Sequence, residues 1–177
     1  GDPLAVKRIL LLYSVVLSSG GIPLLYLGDE VGALNDHRYL QNPDEAMDSR
    51  WVHRPMFDAA RYAARKDPST LPGKIFAGLT AMIRVRASHA VFAGGALTGF
   101  RSGSPHVLGY MRGTDGAHVL VLANFSERVQ RISSTVLSAQ PRTARDLLTG
   151  QYHPLSEGLT LAPYQVVWLD CGGAAGA

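Results

Sequence analysis

The stretch GIPLLYLGDEVG, residues 21–32, decides the fold. Ile22 to Leu27 is an apolar run of strand length, closed by Gly28 and followed at once by Asp29 and Glu30. Such a run, apolar throughout and bounded by glycine, predicts a strand buried on both faces from Ile22 to Leu27. Upstream, Asp2 and Pro3 pair an N-cap residue with a proline in the first helical position, and Gly20 and Gly21 stop the helix, which is expected from Leu4 to Ser18. Helix followed by strand, both apolar on most sides, is the repeating unit of an α/β protein with a parallel sheet. One unit cannot stand alone, because a parallel strand needs a neighbour on each edge, so this end reads as part of something larger.

Two other readings of the same residues have to be weighed. KRILLLYSVVLSSGG (7–21) has the basic flank, apolar run and small-residue exit of a secretory leader, and ILLLYSVVLSSGGIPLLYLG (9–28) is long enough to span a membrane. Against the span stand Ser18, Ser19, Gly20, Gly21 and Pro23, which split it into a helix-length and a strand-length half. Against the leader stands the Asp2–Pro3 start of a folded helix.

The charge balance, 17 Lys and Arg against 14 Asp and Glu, leaves a net +3. The basic residues are scattered singly with no aromatic interleaving, which argues against a nucleic-acid partner. The single cysteine, Cys171, rules out an internal disulfide framework and fits a reducing cytoplasm, with secretion left open. His37, His89, His106, His118 and His153 share no ligand spacing with carboxylates or the cysteine, so no metal site is expected.

Beyond Glu30, ALNDHRYLQNPDEAMDSRWVHRPMFDAA (33–60) is long, polar and aperiodic up to Phe57. Loops of this length inside a domain are functional or disordered, and Tyr39, Trp51 and the cluster Asp48, Ser49, Arg50, His53, Arg54 favour function. A helix is expected over Met56 to Arg65, then a turn and cap at Asp67 to Thr70. A second helix, reaching about Arg86, would bury Ile75, Phe76, Leu79, Met82 and Ile83. From Phe92 onward the pattern changes to short segments rich in branched and aromatic residues, separated by turns such as Gly113 to Gly116 and Thr149–Gly150. That pattern predicts an antiparallel β-sandwich, with the boundary between Ala90 and Gly95.

The stretches LLYSVVLSSGGIPLLYLGDEVGALND (11–36), DSRWVHRP (48–55), RKDPST (65–70) and LTLAPYQVVWLD (159–170) resemble the C-terminal part of amylosucrases. These are sucrose-using transglucosidases of glycoside hydrolase family thirteen, the α-amylase superfamily. The resemblance covers the chain up to its Gly/Ala tail, and DSRWVHRP is its most specific part. It implies that residues 1–90 are the last helix–strand–helix portion of a (β/α)8 TIM barrel, including the loop after strand eight. Residues 91–177 would be the antiparallel β-sandwich C-terminal domain with a disordered Gly/Ala tail. It implies no cofactor and no metal.

In such barrels the active site lies where strands end, which would put Asp29 and Glu30 at the catalytic face. They are not expected to be the catalytic pair. A retaining glycosidase needs two carboxylates about 5–5.5 Å apart on either side of one bond, whereas neighbours on a strand point to opposite faces. In the family, the nucleophile, the acid/base and the stabilising aspartate come from strands four, five and seven, so no catalytic residue is expected in this chain. Asp29 and Glu30 are expected to pair with loop arginines and cap the strand exit, with direct sugar contact as the alternative. Arg50 resembles the family's arginine that pairs with an aspartate from an earlier part of the barrel and closes the glucosyl pocket, a role suited to a planar, permanently charged fork. Arg54 is its rival, and Trp51 and His53 read as supports.

The implied activity of the complete protein is cleavage of sucrose by double displacement and transfer of glucose to an α-1,4-glucan. The chain alone is expected to be inactive. Sucrose hydrolase, or another glucosidase of the superfamily, is the nearest alternative. A different class of answer is a non-enzymatic glucan-binding module, presenting Tyr110, Tyr152 or Tyr164 from the β domain. Sequence leaves the oligomeric state open.

Overall fold

The computed structural model describes residues 3–114 and 117–172. The expected N-cap at Asp2, the centre of the turn from Gly113 to Gly116 and the tail expected to be disordered therefore lie outside the described residues, and the first helix is capped at Leu4 with no side-chain bond, so Pro3 is not its first helical residue. The chain divides into two compact units, residues 1–23 with 81–177, and residues 24–80.

The first unit is built on helix α1, Ala5–Ser18, and a six-stranded sheet. The strands are β1 (Ala96–Gly99), β2 (Val107–Thr114), β3 (Ala117–Asn124), β4 (Gln130–Ile132), β5 (Thr143–Asp146), β6 (Tyr152–Pro154), β7 (Leu159–Leu161) and β8 (Val166–Asp170). The sheet runs β1-β2-β3-β8-β5-β6, and β4 pairs with β7 in a second, small sheet. Every described pairing is antiparallel.

Register explains why β3 and β8 are apolar on both faces. Met111, Leu120 and Leu169 lie side by side across β2, β3 and β8. On this face Leu120, Leu122, Val167 and Leu169 pack with Ile132, Leu137, Leu155, Leu159 and Leu161 in one core. The next row, Tyr110, Val121 and Trp168, points the other way, toward α1 and the segment after α3, described below. There the Tyr110 hydroxyl lies 2.5 Å from Ser18 Oγ, and the Phe92 and Trp168 rings pack at 4.9 Å. With both faces covered, the alternation of a half-exposed strand disappears. The serines Ser14 and Ser18 on the buried face of α1 have small side chains, which lets the helix sit close to the sheet.

Two arginines finish α1. The last carbonyls of a helix have no partner within it and carry its negative end. Arg86 donates to Leu17 O and Gly21 O, and Arg112, only 4% exposed, donates to the carbonyls of Ser19, Val91 and Gly94. Gly20, at φ 106, is tight against that guanidinium, since a Cβ there would meet Arg112 Nη1 at 2.9 Å.

The second unit, residues 24–80, is made of short turns, the helix α2 (Ala59–Ala64) and the first part of α3 (Leu71–Ser88), whose remainder lies in the first unit. Thr70 Oγ1 accepts from Gly73 N–H at 3.0 Å and so caps α3, as the Asp67–Thr70 turn led one to expect. Ile75, Leu79 and Met82 are buried, whereas Phe76 and Ile83 are exposed, so the buried stripe is narrower than the sequence implied.

The expectation of a barrel end is overturned. Ile22 to Leu27 forms no strand, and no parallel ladder exists among the described residues. An apolar run becomes a strand only when a neighbouring strand takes its N–H and C=O groups, and none does so among the described residues, where Ile22 is 98% exposed. The fold is mixed, with mostly antiparallel strands, few helices and a β-sandwich as its main body. β1, too, was not foreseen: ALTG carries no alternation, and pairing with β2 alone makes it a strand.

Candidate functional site

The loops of the second unit begin with Gly28, at φ 106, which turns the chain into a single 3-10 turn over Asp29–Val31. Glu30 folds back on this turn. Its carboxylate accepts the Gly28 N–H at 2.8 Å and the Tyr62 hydroxyl at 3.0 Å. Burial, aided by the Glu30 carboxylate, pushes the Tyr62 phenol up and keeps it a donor. Tyr62 in turn stacks on Phe57, with ring centroids 4.7 Å apart and planes 29° from parallel. Arg61 donates to the carbonyls of Val31 and Gly32 at 3.3 and 2.8 Å, so the first turn of the loop and helix α2 hold each other.

Two Asp-x-Arg motifs follow, Asp36-His37-Arg38 and Asp48-Ser49-Arg50, each opening a 3-10 helix, His37–Gln41 and Ser49–His53. In both, the aspartate accepts the arginine's own backbone N–H and then its side chain. Asp36 takes Arg38 Nε at 2.9 Å and Nη2 at 2.6 Å, and Asp48 takes Arg50 Nε and Nη2, each at 2.8 Å. The arginine's side-chain bonds, followed by its N–H, hold Asp48 down at about 2 and Asp36 lower still, so both pairs are charged throughout the neutral range. The two motifs are tied by the bond from Asp36 N–H to Val52 O, 2.8 Å, and by His53 Nδ1 lying 3.2 Å from Asn35 Oδ1.

The sequence-derived candidates fall into separate places. Glu30 bonds to a backbone amide and a tyrosine, not to a loop arginine, and adjacent Asp29 shares its 3-10 turn instead of a strand end. Arg50 is 77% exposed, with its fork filled by Asp48 of its own loop and Nη1 making no hydrogen bond among the described residues. Arg54 lies over the Trp51 ring at 5.2 Å. Thus Glu30 and Arg50 bond to other groups and not to each other. Sequence reasoning missed Arg38, Phe57, Arg61 and Tyr62. The repeated Asp-x-Arg spacing is the signal for Arg38, while nothing in the pattern marks Tyr62. A cavity of about 310 Å³ opens among them, lined by Leu27, Asn35, Asp36, Arg38, Phe57 and Tyr62 with neighbouring loop residues.

In the β-rich unit the three tyrosines part company. Tyr110 is buried with its hydroxyl on Ser18, whereas Tyr152 is 70% exposed. Tyr164, at φ 54, carries the Arg8 guanidinium over its ring at 5.3 Å and donates to Glu127 at 3.4 Å. Among the described residues no three His, Cys, Asp or Glu side chains gather as a metal-binding group, and no helix is long and apolar enough to cross a membrane.

Residues 99–168 match the C-terminal domain of maltogenic amylase. Over 95% of the chain there is 30% identity to a glucosylglycerate phosphorylase of Allomeiothermus silvanus, of which the chain spans 28%. A trehalose synthase of Thermus thermophilus is 29% identical over 89% of the chain, which spans 19% of it. The chain thus covers less than a third of either relative. Among solved structures, Bacillus licheniformis trehalose-6-phosphate hydrolase superposes on 97% of the chain with a TM-score of 0.70 at 16% identity, the chain covering 40% of it. AmyP in complex with maltose superposes on 99% with a TM-score of 0.69 at 18% identity, 37% of it being covered. These structures share the fold. The chain is related to carbohydrate-active enzymes of the α-amylase superfamily, glycoside hydrolase family thirteen, and carries a C-terminal β domain of that kind. Amylosucrases are not singled out.

Proposed function

We propose that the complete protein is a retaining transglucosidase that opens sucrose, releases fructose and passes the glucosyl unit to an α-1,4-glucan, working in the cytoplasm. Residues 1–90 belong to its catalytic part and residues 91–177 to its C-terminal domain, and the reacting carboxylates come from outside this chain. Arg50 carries the reading. Its guanidinium is planar, permanently charged and oriented by Asp48, yet among the described residues Nη1 makes no hydrogen bond and the side chain stays open, as a group that closes a sugar pocket requires. Asp29, Glu30 and Arg54 support the loops around that pocket or touch the sugar.

Incubated with sucrose, the complete protein is expected to release fructose and lengthen added glucan, with Arg50→Ala lowering kcat/KM for sucrose on the order of 100-fold. Glucose in place of a lengthened glucan would mean a sucrose hydrolase. Fructose release by the 177-residue chain alone would refute the assignment of the reacting carboxylates elsewhere. A second reading is favoured by the 30% identity to a glucosylglycerate phosphorylase over 95% of the chain. Under that reading, inorganic phosphate accepts the glucosyl unit, and glucose 1-phosphate appears only when phosphate is added.

A further inference from the structure

Phe57 is a large apolar side chain left 70% exposed, yet it is not free to move. Tyr62 stacks on one of its faces at 4.7 Å, and Tyr62 is itself anchored by its hydroxyl on Glu30 at 3.0 Å. A chain of three side chains thus holds an open aromatic face steady at the wall of the cavity of about 310 Å³. The same cavity is lined by the Asp36–Arg38 fork, by the Asn35 amide and by Asp58, which is bound to the Arg61 N–H at 2.9 Å. Its charges balance, with Asp36 and Asp58 against Arg38 and Arg61, and Asp36 already occupies the Arg38 fork. A charged ligand therefore gains little there, while a neutral ligand with many hydroxyls meets donors and acceptors in fixed planes. A sugar ring offers such hydroxyls around its rim and an apolar C–H face to lie on an aromatic ring.

We propose that this cavity is a saccharide subsite in which Phe57 is the stacking platform, Arg38 and Asn35 bind ring hydroxyls, and the occupant is the acceptor end of an α-1,4-glucan. The choice of occupant rests on the proposed transglucosidase reading. Tyr62 and Glu30 are positioning residues, since they act through Phe57.

Initial rates of glucosyl transfer from sucrose, measured on the complete protein against varied maltotriose, test it. Phe57→Ala is expected to raise the KM for maltotriose roughly tenfold, and Phe57→Trp, which keeps a platform, to restore most of it. Arg38→Ala is expected to raise KM in the same direction. An unchanged KM in Phe57→Ala, or a rise shared in full by Phe57→Trp, overturns the subsite. If the wild-type protein releases no fructose from sucrose, the donor reading fails instead, and calorimetric titration with maltotriose then decides. Binding that Phe57→Ala loses upholds the subsite, and no binding by the wild type refutes it.

Discussion

Arg112 sits in the interior of the first unit and gives its protons to backbone carbonyls of Ser19, Val91 and Gly94. The bond to Val91 is buried and the other two are partly so, so removing the guanidinium leaves at least the Val91 carbonyl bare, and the cost includes its desolvation as well as the bonds broken. Arg112→Met, which keeps most of the stem's volume, is expected to lower stability by about 2–3 kcal/mol; urea denaturation checks it. Cys171 shows a different residue-level effect. Burial pushes its thiol up to about 11 from an ordinary 9, so the fold favours the neutral form. A group raised in this way contributes stability in full below pH 9 and loses it as pH rises through about 11. The urea midpoint is expected to fall across that window, and to fall less in Cys171→Ala. Tyr110, also raised by burial, acts with the same sign, so the comparison is made in a Tyr110→Phe background.

At the scale of elements, α1 presents Leu11, Ser14, Leu17 and Ser18 to the interior. Ser18 finds partners in the Ser14 carbonyl and the Tyr110 hydroxyl, but the buried Ser14 Oγ has none among the described residues. Ser14→Ala removes an unsatisfied hydroxyl without opening a cavity, and is expected to raise the thermal midpoint, by about 1 kcal/mol in stability. The helix was legible because its cause is local, an apolar run of helix length closed by a glycine stop, although it starts at Ala5 and not at the proline. So were β2, β3 and β8, where branched residues run between turns. The strand expected at Ile22 to Leu27 was not to be had from sequence, since a ladder belongs to two segments and the second is not among the described residues. Helix α2 is shorter than Met56 to Arg65 implied, starting only after Asp58, whose side chain accepts the Arg61 N–H and caps it.

Over the whole molecule, composition and pattern did not show how the loop side chains pair. DSRWVHRP drew attention to Arg50 as a residue type in a motif. That its fork would be filled from two positions earlier follows from a 3-10 start, a geometry that apolar periodicity does not register. Tyr62 and Glu30 are 32 residues apart, and only the folded loop brings them together. The exposed apolar side chains of the second unit, Met47 at 95% among them, are likewise a property of the folded surface. Finally, the two arginines at the end of α1 set an order of events. Arg86 lies 69 residues beyond Leu17, and Arg112 lies 93 beyond Ser19. During synthesis on a ribosome the helix therefore leaves the exit tunnel long before the cations that fasten its end have been translated, and its docking waits for the second β-strand.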